Sequence, residues 1–339
     1  MNYRLLGKSG LRVSELCLGT MTFGEEWGWG ANKEESRKIF DAFAEAGGNF
    51  LDTANFYTKG TSEKMVGEFI QADRERFVVA TKYTLYNKHG DVNASGNHRK
   101  NLVQSIEASL KRLNVDFIDL MYLHMWDSTT PVEEVMRGLD DLVRAGKILY
   151  IAISDAPAWI VSQANTLADL RGWTQFIGLQ IEYSLIQRTP ERDLLPMAKA
   201  FNIGVTAWAP LAGGALSGKY LDANDDPKRL KENSSRLNER NTAIARVVKE
   251  MADDMGWSPS QVAINWVRQQ AGGIIPIVGA RNEKQIKDSL GALKFTLSEE
   301  RLNKLNEVSK IELGFPHDFL LSDGVKENAY GGMYDRIIR

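Results

Sequence analysis

Asp52, Tyr57, Lys82 and His124 are an acid, a phenol, an ammonium and an imidazole, each standing at or just past the end of a short apolar run. Together these groups could deliver a proton. A phenol with an ordinary pKa of about 10 is a poor acid at neutral pH, whereas a neighbouring ammonium favours the phenolate and makes proton donation easier. Lys82 would be that ammonium. A buried ammonium is costly unless paired, so Asp52 would keep Lys82 charged, and His124 could hydrogen-bond to a substrate oxygen. Singly, each has an ordinary alternative: a strand-end Asp forms turns, a loop Tyr packs, a Lys after Thr81 is solvated, and a His ending a strand is structural. Only joint placement distinguishes them from such residues.

That placement depends on the elements around them. Two short extended pieces, residues 3–6 and 11–13, are turned by Gly7 and by Ser9-Gly10 and read as a hairpin ahead of the main fold. An apolar run at 16–18 ends at Gly19-Thr20, and a regular alternation then begins. Helical periodicity over 33–46, about 62–71 and through Leu102, Ile106, Leu110 and Leu113 alternates with strands at 49–54, 77–82 and 117–124. Thr130-Pro131-Val132-Glu133 reads as N-cap, N1 proline and capping-box acid of the next helix, and Ser258-Pro259-Ser260-Gln261 as another cap. Further strands fall at 150–154, 177–183, 205–209 and 274–278, with helices opening near Pro157, Pro190 and Glu283.

Counting the run at 16–19 as the first gives eight strands, and the pattern predicts a closed (β/α)8 TIM barrel with an N-terminal β-hairpin, one domain over residues 1–339. An open doubly wound sheet is the competitor. It should carry GxGxxG after its first strand, and Gly19-Thr20-Met21-Thr22-Phe23-Gly24 does not supply it. Barrel sites gather at the C-terminal ends of the strands. Asp52 ends strand two, Tyr57 follows it, Lys82 closes strand three and His124 closes strand four, so all four are expected on one rim.

Composition narrows the class. Apolar residues make up 43% and charged residues 25%, with a formal net charge of −2, which gives no electrostatic reason to expect nucleic acid or an anionic membrane as partner. The single cysteine, Cys17, excludes an internal disulfide and reads as a buried thiol in a reducing compartment. The start, MNYRLLGKSG, lacks the apolar core of a secretory signal, and no stretch approaches the ~20 apolar residues of a membrane span, so a cytoplasmic protein is expected. His89, His98, His124 and His317 show no metal-ligand spacing.

DTANFY, the ATK of Lys82 and the LMYLH of His124 resemble motifs of the aldo-keto reductase family, and the similarity runs from LGTMTFG to Leu297-Ser298. The resemblance places the family's tetrad on Asp52, Tyr57, Lys82 and His124. Thr58 departs from the Gly that often follows the family's tyrosine. What it implies is a barrel that binds NADP(H) without a Rossmann fold and reduces an aldehyde or ketone, taking hydride from the nicotinamide and a proton from Tyr57. The partner implied is a small-molecule carbonyl, with sugar ketones, aryl aldehydes and aliphatic carbonyls all open; the oligomeric state is open too.

The resemblance also assigns cofactor positions. Gly19, Thr20, Met21 and Asp52 line the first strand ends, while Ser154-Asp155 and Gln180 stand where the family holds the carboxamide. Asp155 replaces the usual Asn, and an ionised carboxylate cannot donate an amide hydrogen. Trp208 stands where an aromatic stacks on nicotinamide. Ala209, Pro210, Leu211, Gly213, Gly218 and Lys219 belong to a stretch that passes along the pyrophosphate; it satisfies GxxxxGK, yet Tyr220 replaces the Ser or Thr a P-loop needs for magnesium, and nucleoside triphosphate hydrolysis is rejected. Gly279 and Arg281 would take the 2′-phosphate, favouring NADP(H) over NAD(H), and Gln285, Asp288 and Ser289 align with adenosine contacts, Asn being usual at the last.

Trp27, Trp29, Phe56 and Trp126 fall in rim loops and are expected to line an apolar substrate pocket. Residues 221–240 turn polar and charged and read either as a solvated excursion or as a mobile rim loop closing on the cofactor. Two other classes compete: an NADPH-binding interaction module similar to potassium-channel β subunits, and a two-carboxylate barrel hydrolase, for which only Asp52 is well placed.

Overall fold

A computed structural model describes residues 1–221, 229–231 and 233–338. Strands β1 (Tyr3–Leu5) and β2 (Arg12–Ser14) form the antiparallel hairpin. The main sheet is a closed parallel barrel of eight strands: β3 (Cys17–Gly19), β4 (Phe50–Asp52), β5 (Val78–Tyr83), β6 (Ile118–Leu123), β7 (Ile148–Ser154), β8 (Phe176–Glu182), β9 (Gly204–Trp208) and β10 (Ile275–Gly279). Helices return the chain between them: Lys33–Glu45, Thr61–Ile70, Arg99–Leu113, Val132–Arg144, Ala158–Arg171, Leu194–Ala200 and Pro259–Arg268, with Glu283–Gly291 after the last strand.

The hairpin closes the bottom of the barrel. Leu6 and Val13 are fully buried among Cys17, Phe50, Leu120 and Tyr122, the inward side chains of the strands. Gly7 makes this approach possible, because its φ of +55° is left-handed and a Cβ there would stand 2.4 Å from the Ile177 carbonyl oxygen. The hairpin thus covers the end of the barrel opposite the rim that carries Asp52 and Lys82. Cys17 lies inside that interior, fully buried, and burial pushes its thiol pKa well up.

Register brings the strand ends to one level. Gly19 pairs with both Gly279 and Asp52, Asp52 with Ala80, Lys82 with Tyr122, and Ser154 with Gln180. A Cβ on Gly19 would lie 2.7 Å from Ile277 Cγ2, so glycine allows the first and last barrel strands to close at the rim.

Two features differ from expectation. Helix Val132–Arg144 has Pro131 as its N-cap with no side-chain cap, and the Thr130-Glu133 box does not form. Thr130 Oγ1 donates instead to Asp127 Oδ2 at 2.7 Å, while Asp127 Oδ1 accepts from the Thr129 and Thr130 amides at 2.9 Å each. A carboxylate three residues earlier offers charge-assisted bonds that an exposed helix amide cannot match. The Ser258-Gln261 capping box is present as expected.

A long helix, Glu239–Met255, intervenes between β9 and Pro259–Arg268 and was not foreseen, although Ile244, Ala245, Val248, Met251 and Ala252 are its buried stripe. The expected closing loop over 221–240 falls partly on residues outside the described set. Among the described residues, no helix is long and apolar enough to cross a membrane.

Candidate active site

Lys82 reaches the rim from β5 with its side chain fully buried, and its three ammonium hydrogens have three acceptors: Asp52 Oδ2 at 2.6 Å, the Thr53 carbonyl at 3.0 Å and Tyr57 Oη at 3.1 Å. Because Lys82 donates to the phenol oxygen, the Tyr57 proton has to point elsewhere. Burial alone would push the ammonium down, but Asp52 and Tyr57 outweigh it and hold the Lys82 pKa up at about 12. The other oxygen of Asp52 accepts from Gln180 Nε2 at 2.9 Å, so a side chain from β8 fixes the carboxylate from across the barrel.

Tyr57 follows β4 in a tight 3-10 turn, Tyr57–Gly60. Thr58, the position where the resemblance expects glycine, has a φ of +45°, which explains the usual glycine. Thr58 is held there because its hydroxyl donates to the Phe23 carbonyl at 2.6 Å and accepts from the Ser62 amide at 3.1 Å.

The Tyr57 pKa runs against the sequence argument. Burial raises it, Asp52 raises it further, and the lowering by Lys82 is outweighed. An ammonium already paired with a carboxylate exerts little net field on a third group. Tyr57 is therefore a neutral phenol at physiological pH.

His124 lies just past β6, its ring edge-on to Tyr57 with centroids 5.8 Å apart. Burial, and then Lys82, depress its pKa well below the ordinary value, so the imidazole is neutral. Its Nδ1 is buried without a hydrogen-bond partner among the described residues. An acceptor lone pair left unpaired is less costly than a stranded N–H, which favours the tautomer protonated on Nε2.

The remaining sequence-predicted residues divide into those that border this group and those with other duties. Ser154 is buried at the end of β7, and Asp155 beyond it accepts from Trp208 Nε1 at 3.1 Å. Thr20 is fully buried and its hydroxyl is committed to the Asp52 carbonyl at 2.9 Å and to Ser62 at 2.8 Å; Met21 beside it is half-buried. Asp288 accepts from Ser258 Oγ at 3.0 Å and Gln261 Nε2 at 3.1 Å, so its carboxylate braces the start of the neighbouring helix, and Ser289 is buried. Gln285 Oε1 accepts from the Arg281 amide at 2.9 Å, next to the start of helix Glu283–Gly291.

After β9, Pro210 is buried and the chain makes a run of left-handed residues: Ala209, Ala212, Gly213, Gly214 and Gly218. Leu211 opens this turn, Lys219 lies over the Tyr220 ring at 5.5 Å, and Gly279 at the end of β10 is exposed. Two arginines missed in the sequence gather here. Arg236 pairs with Glu182 and stands 3.1 Å from where a Gly213 Cβ would be, while Arg229 stacks over Trp29 at 4.6 Å. Burial lowers the Arg229 pKa, and repulsion from Arg236 and Arg281 adds to it. Three guanidiniums drawn together against their own repulsion, beside a glycine-rich turn and a helix N-terminus, fit the phosphates of a dinucleotide. The signal in sequence was the polar, charged stretch 221–240, legible as a solvated excursion or a rim loop but not as specific phosphate ligands.

The rim aromatics form a row. Trp27 contacts Tyr57 edge-on at 6.3 Å and also Trp29 at 5.6 Å and Phe56 at 5.9 Å; Phe56 meets Tyr86 at 5.0 Å, and Tyr86 meets His89 at 5.8 Å. Tyr86 and His89 were not foreseen. Among the described residues no ring contact joins Trp126 to this row; its amide instead donates to the Asp155 carbonyl at 3.3 Å. No group of three His, Cys, Asp or Glu among the described residues could hold a metal ion.

A family model described as the aldo/keto reductase family matches residues 15–310. Norsolorinic acid reductase of Aspergillus flavus is 38% identical over 329 residues, covering 94% of this chain and 84% of its own. Aryl-alcohol dehydrogenase [NADP(+)] of Phanerodontia chrysosporium is 37% identical over 355 residues, covering 96% and 91%. A putative aryl-alcohol dehydrogenase of Saccharomyces cerevisiae is 35% identical, covering 94% and 90%. With a barrel whose rim holds an acid, a phenol, an ammonium and an imidazole together, and with this match over most of its length, the chain belongs to the aldo/keto reductase family.

Proposed function

We propose that this protein is an NADP(H)-dependent reductase of aromatic aldehydes or ketones, with alcohol oxidation as its reverse reaction. The observation that carries the reaction type is the buried chain Gln180 to Asp52 to Lys82 to Tyr57, which ends in a phenol whose proton is free to leave toward the rim. The hydride would be supplied, or taken up in reverse, by the nicotinamide of a bound dinucleotide. The residues of the chain supply everything else. Neutral His124 donates from Nε2 to the carbonyl oxygen and orients it. As that oxygen gains charge it becomes an alkoxide, far more basic than a phenolate, so the neutral Tyr57 hydroxyl gives up its proton despite its raised pKa. Lys82 then donates to the phenolate left behind, and Asp52 keeps Lys82 charged for that purpose. Ser154, Trp208 and the left-handed turn 209–218 would hold the dinucleotide, with the three arginines near its phosphates. Arg281 supports NADP(H) over NAD(H) through its fork of donors.

The aromatic row supports an aryl substrate, because a flat ring gains offset or edge contacts from Trp27, Phe56 and Tyr86 that an aliphatic chain does not. Relatives named for aryl-alcohol oxidation agree with it. A carbonyl panel assayed with NADPH and with NADH tests both readings. Aryl aldehydes are expected to exceed aliphatic ones of similar size by about tenfold or more in kcat/KM, from roughly 1.4 kcal/mol of added ring contact. Tight NADPH binding with no turnover on the whole panel would instead support an interaction module.

The raised Tyr57 pKa gives the two directions different pH profiles. Reduction needs the protonated phenol and is expected to stay level from neutral pH to about 9, while oxidation needs the phenolate and climbs across the alkaline range. Measured kcat/KM against pH in both directions checks this; an oxidation limb that is already level at about pH 7 contradicts the assignment.

A further inference from the structure

Asp155 is fixed in place by three hydrogen bonds from three directions. Its amide donates to the Gln180 carbonyl at 3.3 Å, its carbonyl accepts from the Trp126 amide at 3.3 Å, and its side chain accepts from Trp208 Nε1 at 3.1 Å. The backbone is left-handed, with φ +42°, a conformation that Asp and Asn both tolerate. None of these bonds needs a charge, since an amide oxygen would accept from Trp208 equally well.

Keeping a carboxylate there is nevertheless costly. The crowded rim raises the Asp155 pKa, Glu182 raises it further, and only the Trp208 bond and Lys82 oppose them. Asp155 directly follows Ser154, whose register partner Gln180 donates to Asp52 Oδ1 at 2.9 Å, so the carboxylate stands on the rim next to the Asp52–Lys82 pair. A neutral isostere would make the same three hydrogen bonds, so the charge itself is what this residue adds to the rim. The only groups on this rim that lose or gain charge in the proposed reaction are the phenol, the substrate oxygen and the nicotinamide ring. A carboxylate opposes the negative charge that develops on the first two. It favours the third, because the oxidised ring carries a positive charge that the reduced ring lacks.

We propose that the Asp155 carboxylate, held against the edge of Trp208, selects the oxidised cationic nicotinamide over the reduced neutral one. Hydride departure from the ring is thereby assisted, and the oxidised dinucleotide is retained after turnover. This inference rests on the NADP(H) reading of the site and on Trp208 lying beside the ring.

Dissociation constants for NADP+ and NADPH, measured by fluorescence titration and calorimetry on the full chain and on Asp155→Asn, test it without any substrate. Asparagine keeps the size, the left-handed backbone and the Trp208 acceptor, so only the charge changes. The ratio Kd(NADP+)/Kd(NADPH) is expected to rise on the order of three- to tenfold in the variant, and the rise should shrink at high salt, as for a partly screened charge. If both dinucleotides bind and the ratio moves by less than a factor of about 1.5, against that expected shift, the proposal is overturned while the cofactor reading stands. If neither dinucleotide binds the unsubstituted protein, the cofactor reading falls and takes the proposal with it.

Discussion

Tyr57→Phe is expected to lower kcat by about a hundred- to ten-thousandfold in both directions while leaving the NADPH dissociation constant within about twofold. The physical reason is local. The phenol oxygen has one described partner, Lys82 at 3.1 Å, and its own proton is directed to the rim, so removing the hydroxyl deletes the proton donor and little else. Lys82 keeps two of its three acceptors, Asp52 and Thr53, and remains a paired ammonium. The fold should lose only about 1 kcal/mol. Steady-state turnover beside a fluorescence titration separates the two effects. A variant that retains more than about a tenth of kcat would place the proton donor elsewhere, with His124 the next group to test.

Asp52→Ala has the second large effect, and it falls on stability as well as on turnover. The Asp52–Lys82 pair is buried, with contact at 2.6 Å and side chains 4% and 0% exposed. Removing one partner leaves an uncompensated buried charge, and such losses run to about 3–5 kcal/mol. Gln180 loses its acceptor at the same time. Urea unfolding of Asp52→Ala, Lys82→Met and the double variant provides the cycle. The double variant is expected to recover part of the loss because no lone charge remains in it. A loss of less than about 1 kcal/mol in Asp52→Ala would mean that water reaches Lys82 and that the pair is not the anchor described above.

The same pair predicts a pH window. Lys82 has its pKa raised from 10.5 to about 12 in the folded protein, so its contribution to stability is fully present below pH 10.5 and is lost as pH rises through about 12. In Asp52→Ala, burial acts on Lys82 without its strongest opponent, so the sign reverses: the buried ammonium is a penalty at neutral pH that is relieved as rising pH deprotonates it.

The barrel was legible because its strands are short apolar runs buried on every side and its helices carry stripes at helical spacing. Residues 77–82 and the stripe from Leu102 to Leu113 are examples. The helix Glu239–Met255 escaped notice because its flank is heavily charged, though its buried stripe has the same spacing. The Thr130 cap was misread for a related reason. A capping box is a local pattern, and Asp127, only three residues away, offers a stronger local partner.

At the site, sequence alone determined which residue types stand at the ends of which strands, because strand order and the side chain after each apolar run are properties of the chain. It thereby put Asp52, Tyr57, Lys82 and His124 on one rim. Only tertiary structure decided how they act on one another. Gln180 and Asp52 are separated by 128 residues and share a hydrogen bond, Arg229 after β9 covers Trp29 after β3, and Tyr57 has a raised rather than a lowered pKa. Each is a sum over groups converging in space, where burial and a second charge can reverse the sign that one neighbour would impose.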